Sequence, residues 1–239
     1  NNNQRVGSTT VGTATLTNVT LSGNTANFGG GITNLLATLT LTNVTLSGNT
    51  ASVGANIDKV SGTVTLQNTI VSSSPTGAAA LDQPVAPEAA PSSNCAAAVT
   101  SLGHNLDSGT TCGLTGPGDL SNTDPLLGPL QGNGGATKTH ALLAGSPAID
   151  AGDNAGCPVS DQRGIARPQD GNTDGSATCD IGAYEAVAVN PGASVVASIL
   201  PASRSVQVCA TATAFATIIN AGPGTATNCS LASGTSLPA

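Results

Sequence analysis

Acidic side chains concentrate in one stretch of the chain, and part of it has the spacing of a calcium-binding loop. Seven of the 13 acidic residues lie between positions 150 and 185. Asp170, Asn172 and Asp174 place oxygen atoms at alternate positions, and a glycine follows at the sixth, as in the first half of a Ca²⁺ loop. The twelfth position is Ile181 instead of the Glu of an EF-hand, so Asp180 or a backbone carbonyl would complete the predicted structural Ca²⁺ site. The alternative is a loop closed by Asx turns.

The same stretch holds the one group that suggests catalysis. Asp150 and Asp153, together with Arg163, are the residue types that β-helix polysaccharide lyases and hydrolases use. Such residues more often close a loop through turns and ion pairs, and the chain has no Ser or Cys nucleophile pattern. His104 and His140 stand in unrelated contexts, and we interpret both as structural. We therefore predict no catalytic residues and keep a carbohydrate-active enzyme as the alternative.

The six cysteines form three close sequential pairs, each bracketing a glycine-rich stretch. No pair has the short spacing of a zinc site, and an even number of cysteines indicates disulfides formed in an oxidising, extracellular setting. Local staples are the simplest of several possible connectivities. The predicted pairs are Cys95–Cys112, Cys157–Cys179 and Cys209–Cys229.

The first part of the chain, before these groups, is built from a repeat of 25 residues. The segment 15–26 returns almost unchanged at 40–51, with a looser copy at 65–71. Apolar and threonine side chains alternate with the period of a strand, and Ile32 and Ile57 mark a further strand in each repeat. A fixed period of this length with strand residues predicts an all-β solenoid, a parallel β-helix that is right-handed by the crossover rule.

One asparagine stands at the same place in each repeat. The apolar residues occupy every second position before it and the other set of alternate positions after it. We interpret this change as a bend with the asparagine on its inner side. Because neighbouring strands lie about 4.8 Å apart, the asparagine amides of successive repeats would then hydrogen-bond to one another along the stack. The predicted ladder consists of Asn18, Asn43 and Asn68.

Composition narrows the function. The net charge is −7, which excludes a basic nucleic-acid surface, and only 1% of the residues are aromatic, so a sugar-stacking platform is missing. No apolar run is long enough to span a membrane. The chain begins without a signal-peptide pattern, which we interpret as a mature or excised piece.

Shifts in composition divide the chain into three parts. Residues 1–94 hold the repeats and end in a Pro/Ala-rich insertion at 74–94, and residues 95–189 form a closing segment. Residues 190–239 alternate like strands but are too few for a complete sandwich, so we predict a partial, immunoglobulin-like β-sandwich there.

The closing segment resembles a known family. Its ordered motifs include Ser101–Leu106, Asn122–Gly128, Gly145–Gly152, Asp161–Gly164 and Cys179–Glu185. This set resembles the bacterial "choice-of-anchor Q" surface proteins, in which a β-helix ends in such a segment and variable anchoring or adhesin-like domains follow. The resemblance covers residues 95–186 and implies a secreted or surface-displayed protein without an established catalytic residue.

We therefore expect an extracellular structural or adhesive protein on the bacterial cell surface. Both ends of the chain look like unfinished sheets, which predicts head-to-tail self-association into a fibre, with the strands of 191–239 engaging the next copy. Another surface protein or a glycan is a further candidate partner. Ice binding ranks third, because outward threonines form a flat grid at positions 13, 15, 38, 40, 63 and 65.

Overall fold

The computed structural model describes residues 12–73, 93–188, 195–200 and 215–220. These residues are almost entirely strands and turns, so the all-β prediction is confirmed; one 3-10 helix covers Asn154–Gly156. No helix among them is long and apolar enough to cross a membrane. The chain divides into two compact units, Asn1–Ala188 and Val189–Ala239.

The first unit contains thirteen strands among its described residues. In chain order they are β1 Thr13–Thr17, β2 Thr20–Ser22, β3 Ile32–Asn34, β4 Thr38–Thr42, β5 Thr45–Ser47, β6 Ile57–Lys59, β7 Thr63–Gln67, β8 Ile70–Ser72, β9 Thr100–Ser101, β10 Leu106–Asp107, β11 Leu120–Ser121, β12 Leu127–Gln131 and β13 Thr139–Leu142.

Strands 25 residues apart pair in parallel and in register, as the repeat predicts. Sheet A has the order β1-β4-β7-β9, sheet B the order β11-β10-β8-β5-β2, and β3 pairs with β6 in a third sheet. Thr15 lies beside Thr40, which lies beside Thr65, and Leu21 lies beside Leu46. Because the period is constant, every repeat presents the same side chain on the same face.

One apolar core lies between the three sheets. Leu41 from sheet A, Leu46 from sheet B and Ile57 from the third sheet are fully buried and belong to the same cluster. The chain continues this core beyond residue 93, where Cys112 and Leu114 are buried against it. Strands β12 and β13 then form an antiparallel hairpin, and residues 144–186, which we name the strap, follow without a regular strand.

In the second unit, β14 (Val195–Leu200) and β15 (Phe215–Asn220) pair in antiparallel fashion. The alternation of the sequence predicts strands at 194–200, 205–216 and 217–220. The observed β15 runs across the predicted break at 216–217. Residues 201–214 lie outside the described part of the chain, as do residues 74–92 of the Pro/Ala-rich insertion predicted at 74–94.

Candidate functional site

The strap and the β12–β13 hairpin cover the outer face of sheet B. Ile70 and Leu106, which point away from the inner core, form a second apolar cluster with Leu127 of the hairpin and Ile181 of the strap. Gly182 makes the closest approach: a Cβ added to it would lie 2.7 Å from Ile70 Cδ1, and its φ of +99° also favours glycine. The strap is therefore packed onto the repeats over their full height.

The predicted asparagines lie at the bend between sheets A and B. All three have left-handed backbone, with φ of 54° at Asn18, 50° at Asn43 and 48° at Asn68. Asparagine is one of the few non-glycine residues that tolerate this conformation. The sequence thus locates the bend correctly.

The direction of these side chains differs from the prediction. Asn18 Nδ2 donates to Ser160 O at 2.6 Å, Asn43 Nδ2 donates to Asp180 O at 3.0 Å, and Asn68 Nδ2 donates to Asp153 O at 3.0 Å. All three therefore face the strap and not the inner core, because the strap supplies the backbone groups that satisfy the amides.

Only one rung of the predicted ladder forms. Asn68 Nδ2 donates to Asn43 Oδ1 at 3.3 Å. Between Asn43 and Asn18 no such bond exists, and Asn18 Oδ1 is buried without a hydrogen-bond partner. Asn43 and Asn68 are fully buried, so their amides tie the strap to the repeats.

A continuous amide chain exists elsewhere, at the corner between sheet B and the third sheet. Asn24 Nδ2 donates to Asn49 Oδ1 at 3.0 Å, Asn49 Nδ2 to Asn56 Oδ1 at 2.8 Å, and Asn56 Nδ2 to Asn94 Oδ1 at 2.8 Å. The chain ends where Asn94 Nδ2 donates to Asp107 Oδ1 at 2.6 Å. Its signal in the sequence is the 25-residue spacing of Asn24 and Asn49, which lie at the same place in the repeated segments 15–26 and 40–51.

Buried charges join the middle of the strap to its C-terminal end. Arg167 Nη1 lies 2.7 Å from Glu185 Oε2, and neither side chain has any exposed surface. Arg167 also donates to the backbone oxygens of Asp180 and Gly182, the two carbonyls that Asn43 uses. A second pair, Arg163 with Asp161, lies 2.7 Å apart, with the Arg163 guanidinium 3.5 Å from the centroid of the Tyr184 ring.

Three carboxyl groups share this buried region with two guanidinium groups. Asp180 is the acid without an ion pair: its carboxylate accepts the N–H groups of Asp150 and Ala186. Burial, with Glu185 nearby, raises the pKa of Asp180 to about 7. Burial likewise raises the pKa of Glu185, although Arg167 opposes the shift.

Asp150, Asp153 and Arg163, the group considered for catalysis, are not hydrogen-bonded to one another. Asp150 accepts the N–H groups of Gly171 and Asn172, and Asp153 accepts the N–H of Ala155 and the Gln67 amide. Arg163 bonds Asp161 and the backbone of Asn133 and Glu185. The three side chains therefore contact different partners, and each closes a turn or joins two segments.

The predicted calcium ligands are also held by other bonds. Asp170 accepts the N–H groups of Asp174 and Gly175, and Asn172 Oδ1 accepts the N–H of Asp174 at 2.8 Å. Asp180 is not joined to this loop by any of these bonds, since its carboxylate serves Asp150 and Ala186. Within the described residues no group of three His, Cys, Asp or Glu side chains is placed to hold a metal ion. Asn172 and Asp174 each accept the N–H group two residues further on, as in Asx turns.

Both histidines are hydrogen-bonded within the fold. His104 Nδ1 lies 2.8 Å from Ala151 O. His140, on β13, has Nδ1 2.7 Å from Gly128 O and Nε2 2.8 Å from Ser22 Oγ. Burial lowers the pKa of His140, so the neutral ring joins the hairpin to β2 at pH 7.

Two of the three predicted disulfides are confirmed. Cys95 is bonded to Cys112, beside the inner core, and Cys157 is bonded to Cys179, within the strap. Cys209 and Cys229 lie outside the described residues.

The outer face of sheet A is different, because nothing in the described part of the chain covers most of it. Its strands carry no charged residue. Thr13, Thr38 and Thr63 form one exposed column, and a second column of threonines runs beside it, with Thr40 and Thr65 half-buried. The strap reaches only the rim of this face, where Asp153 bonds Gln67.

No protein-family model, curated protein or solved structure matches this chain.

Proposed function

We propose that this chain is an extracellular structural or adhesive surface protein built on a right-handed parallel β-helix. The support for the β-helix is the constant 25-residue register of three parallel sheets around one core. The two disulfides favour an oxidising, extracellular setting.

The observation that carries an adhesive role is the outer face of sheet A. It is uncharged and in register over three repeats, and within the described residues most of it remains open while the strap covers the equivalent face of sheet B. A face of this kind suits a flat, uncharged partner such as a neutral glycan surface or another surface protein.

The internal bonds of the strap support a non-enzymatic role. Its buried charges lie in pairs or accept backbone N–H groups, and such groups serve packing instead of reacting with a substrate. Glu185 and Asp161 both belong to motifs that resemble the choice-of-anchor Q family, so we propose the closing role of that family's segment for residues 95–189. A partial β-sandwich at 190–239 and self-association through its strands are part of the same proposal.

The test uses retention of the labelled chain on insoluble cellulose and on an immobilised layer of the same protein. Thr15→Lys with Thr40→Lys places two charges on sheet A, and Ser176→Lys with Asn172→Lys places two on the exposed strap loop as the matched control. We expect the unmodified chain to be retained even at high salt, since no ion pair is involved. The control variant should be retained equally, and only the sheet A variant should lose retention. Equal retention of both variants, or none by the unmodified chain, would contradict the adhesive role.

Ice binding is a second candidate, favoured by one observation. The threonines of sheet A are aligned in two columns, with strands about 4.8 Å apart and next-nearest residues about 7 Å apart. Each β-branched side chain holds a restricted rotamer, so hydroxyl and methyl groups repeat at fixed positions. Thermal hysteresis at millimolar protein, abolished by Thr40→Lys, would establish it; its absence leaves the adhesive role unaffected.

A further inference from the structure

The first repeat ends in an open edge formed by three strands. Strand β1 pairs with β4, β2 with β5 and β3 with β6, and among the described residues none of the three has a partner on its other side. An edge of this kind presents unpaired N–H and C=O groups in a row.

The core is incomplete at the same edge. Four apolar side chains of the first repeat are only partly buried, although their equivalents in the second repeat have no exposed surface. The partly buried residues and their equivalents are Leu16 and Leu41, Val19 and Val44, Leu21 and Leu46, and Ile32 and Ile57.

The molecule itself contains the partner that such an edge accepts. The second repeat has the same edge, and the first repeat covers it with five in-register pairs between β1 and β4 and three pairs at each of the other two sides. With that contact in place, the side chains of Leu41 and Leu46 have no exposed surface. If the same interface continues beyond the first repeat, the next strand must run parallel to β1 and carry the same residue pattern.

We propose that the β1–β2–β3 edge is a binding surface for one further 25-residue repeat, docked parallel and in register with the first. The inference rests on the proposed β-helix architecture and names the partner of its open end. The partner would present threonine and leucine alternately beside β1 and a left-handed residue beside Asn18, whose φ is 54°.

A second copy of the chain fits this edge less well. At the far end of the stack, β9 and β11 have two residues each, and Cys112 and Leu114 are buried against the core, so that end offers no matching rim to a head-to-tail copy. A head-to-head copy would run antiparallel and place the Asn18 bend against a different corner. The orientation therefore favours a repeat over a copy.

The test is a tandem duplication in which a second copy of residues 13–37 is inserted after Gly12. We expect amide hydrogen exchange in the original β1 and β2 to slow by about tenfold or more, toward the rates of β4 and β5, with a higher melting temperature. The control duplication carries Ser in place of the new repeat's Leu16, Val19, Leu21 and Ile32 equivalents, and it should leave exchange fast.

Three results would overturn the proposal. The first is equal exchange for β1 and β4 in the unmodified monomer, which would mean that the edge is already covered. The second is a duplication that leaves the original β1 fast. The third is a dimer by light scattering whose β1 amides are protected, which would make a second copy the occupant. The cellulose assay reads a different face, so it separates failure here from failure of the adhesive role.

Discussion

Sheets A and B are built from the same repeats, yet the outer face of sheet A is largely exposed to solvent and that of sheet B is buried. Thr40 and Thr45 stand five residues apart in the second repeat, one on each face. Thr40 faces outward on an uncharged, largely open surface, whereas Thr45 is 2% exposed and accepts the N–H of Ala183 from the strap. The repeat therefore determines the position of a side chain, whereas a segment far along the chain determines whether that side chain is buried.

The largest expected effect comes from removing the strap's buried cation. Arg167→Met should lower the free energy of unfolding by about 3–5 kcal/mol, because the buried Glu185 would lose its ion-pair partner and keep only the backbone N–H groups of Asp180 and Gln169. Urea denaturation measures the change. The exposed Lys138→Met is the control and should stay near the unmodified protein. A loss below about 1 kcal/mol would mean that the strap does not depend on this pair.

The next effect is a dependence on pH through Asp180. Its folded pKa of about 7 lies above the unfolded value of about 3.9, so its contribution to stability is fully present below the unfolded value and is lost as pH rises toward and through 7. Between pH 4.5 and 7.5 the free energy of unfolding should fall by roughly 2–4 kcal/mol because of this group. His140, whose pKa is lowered, acts oppositely below about pH 6.5, where the unfolded chain gains the proton first.

Asp180→Asn isolates the effect. The variant should lose the part of the slope that comes from Asp180 and keep the part from Glu185, whose pKa is also raised, while the exposed Asp174→Asn should keep the whole slope. The slope is the measured quantity, because the new amide faces two N–H donors and lowers stability at every pH. An unchanged slope in Asp180→Asn would show that another group is responsible.

A smaller effect compares the two faces directly. Thr45→Val should cost about 1–3 kcal/mol, because the buried N–H of Ala183 loses its acceptor. Thr40→Val should stay within about 0.5 kcal/mol of the unmodified chain, since its face lies open to water. The melting temperatures of the two variants provide the measurement, and equal losses would mean that sheet A is covered in solution.

The smallest effect is expected from metal removal. EDTA should leave the melting temperature unchanged, because the oxygens of Asp170 and Asn172 already accept backbone N–H groups. Excess Ca²⁺ should likewise give no shift. A rise with Ca²⁺ that EDTA reverses would restore the predicted calcium site.

The repeats could be predicted in detail because their information is local. The alternation of Thr and Leu and the 25-residue period locate β1 to β8 and the bends at Asn18, Asn43 and Asn68. The direction of those amides could not be predicted, since their partners stand up to 142 residues away in a strap without periodicity.

The buried polar groups show the same limit. Asn49 looks like a turn residue in the sequence but is 2% exposed and bonds Asn24, Asn56 and Leu21 O. Asp180 was assigned to a calcium loop by proximity in sequence, although its bonds run to Asp150 and Ala186.

The separation of 142 residues between Asn18 and Ser160 also has a kinetic consequence. The repeats can form from neighbouring segments, whereas the strap must close a loop of more than half the chain before its contacts stabilise anything. During synthesis the repeats emerge first, so Thr20, Thr45 and Ile70 stay exposed to solvent until residues 144–186 arrive. Refolding of the chain should therefore be biphasic, with strand formation preceding protection of Ile70, and aggregation should concentrate in the interval between the two phases.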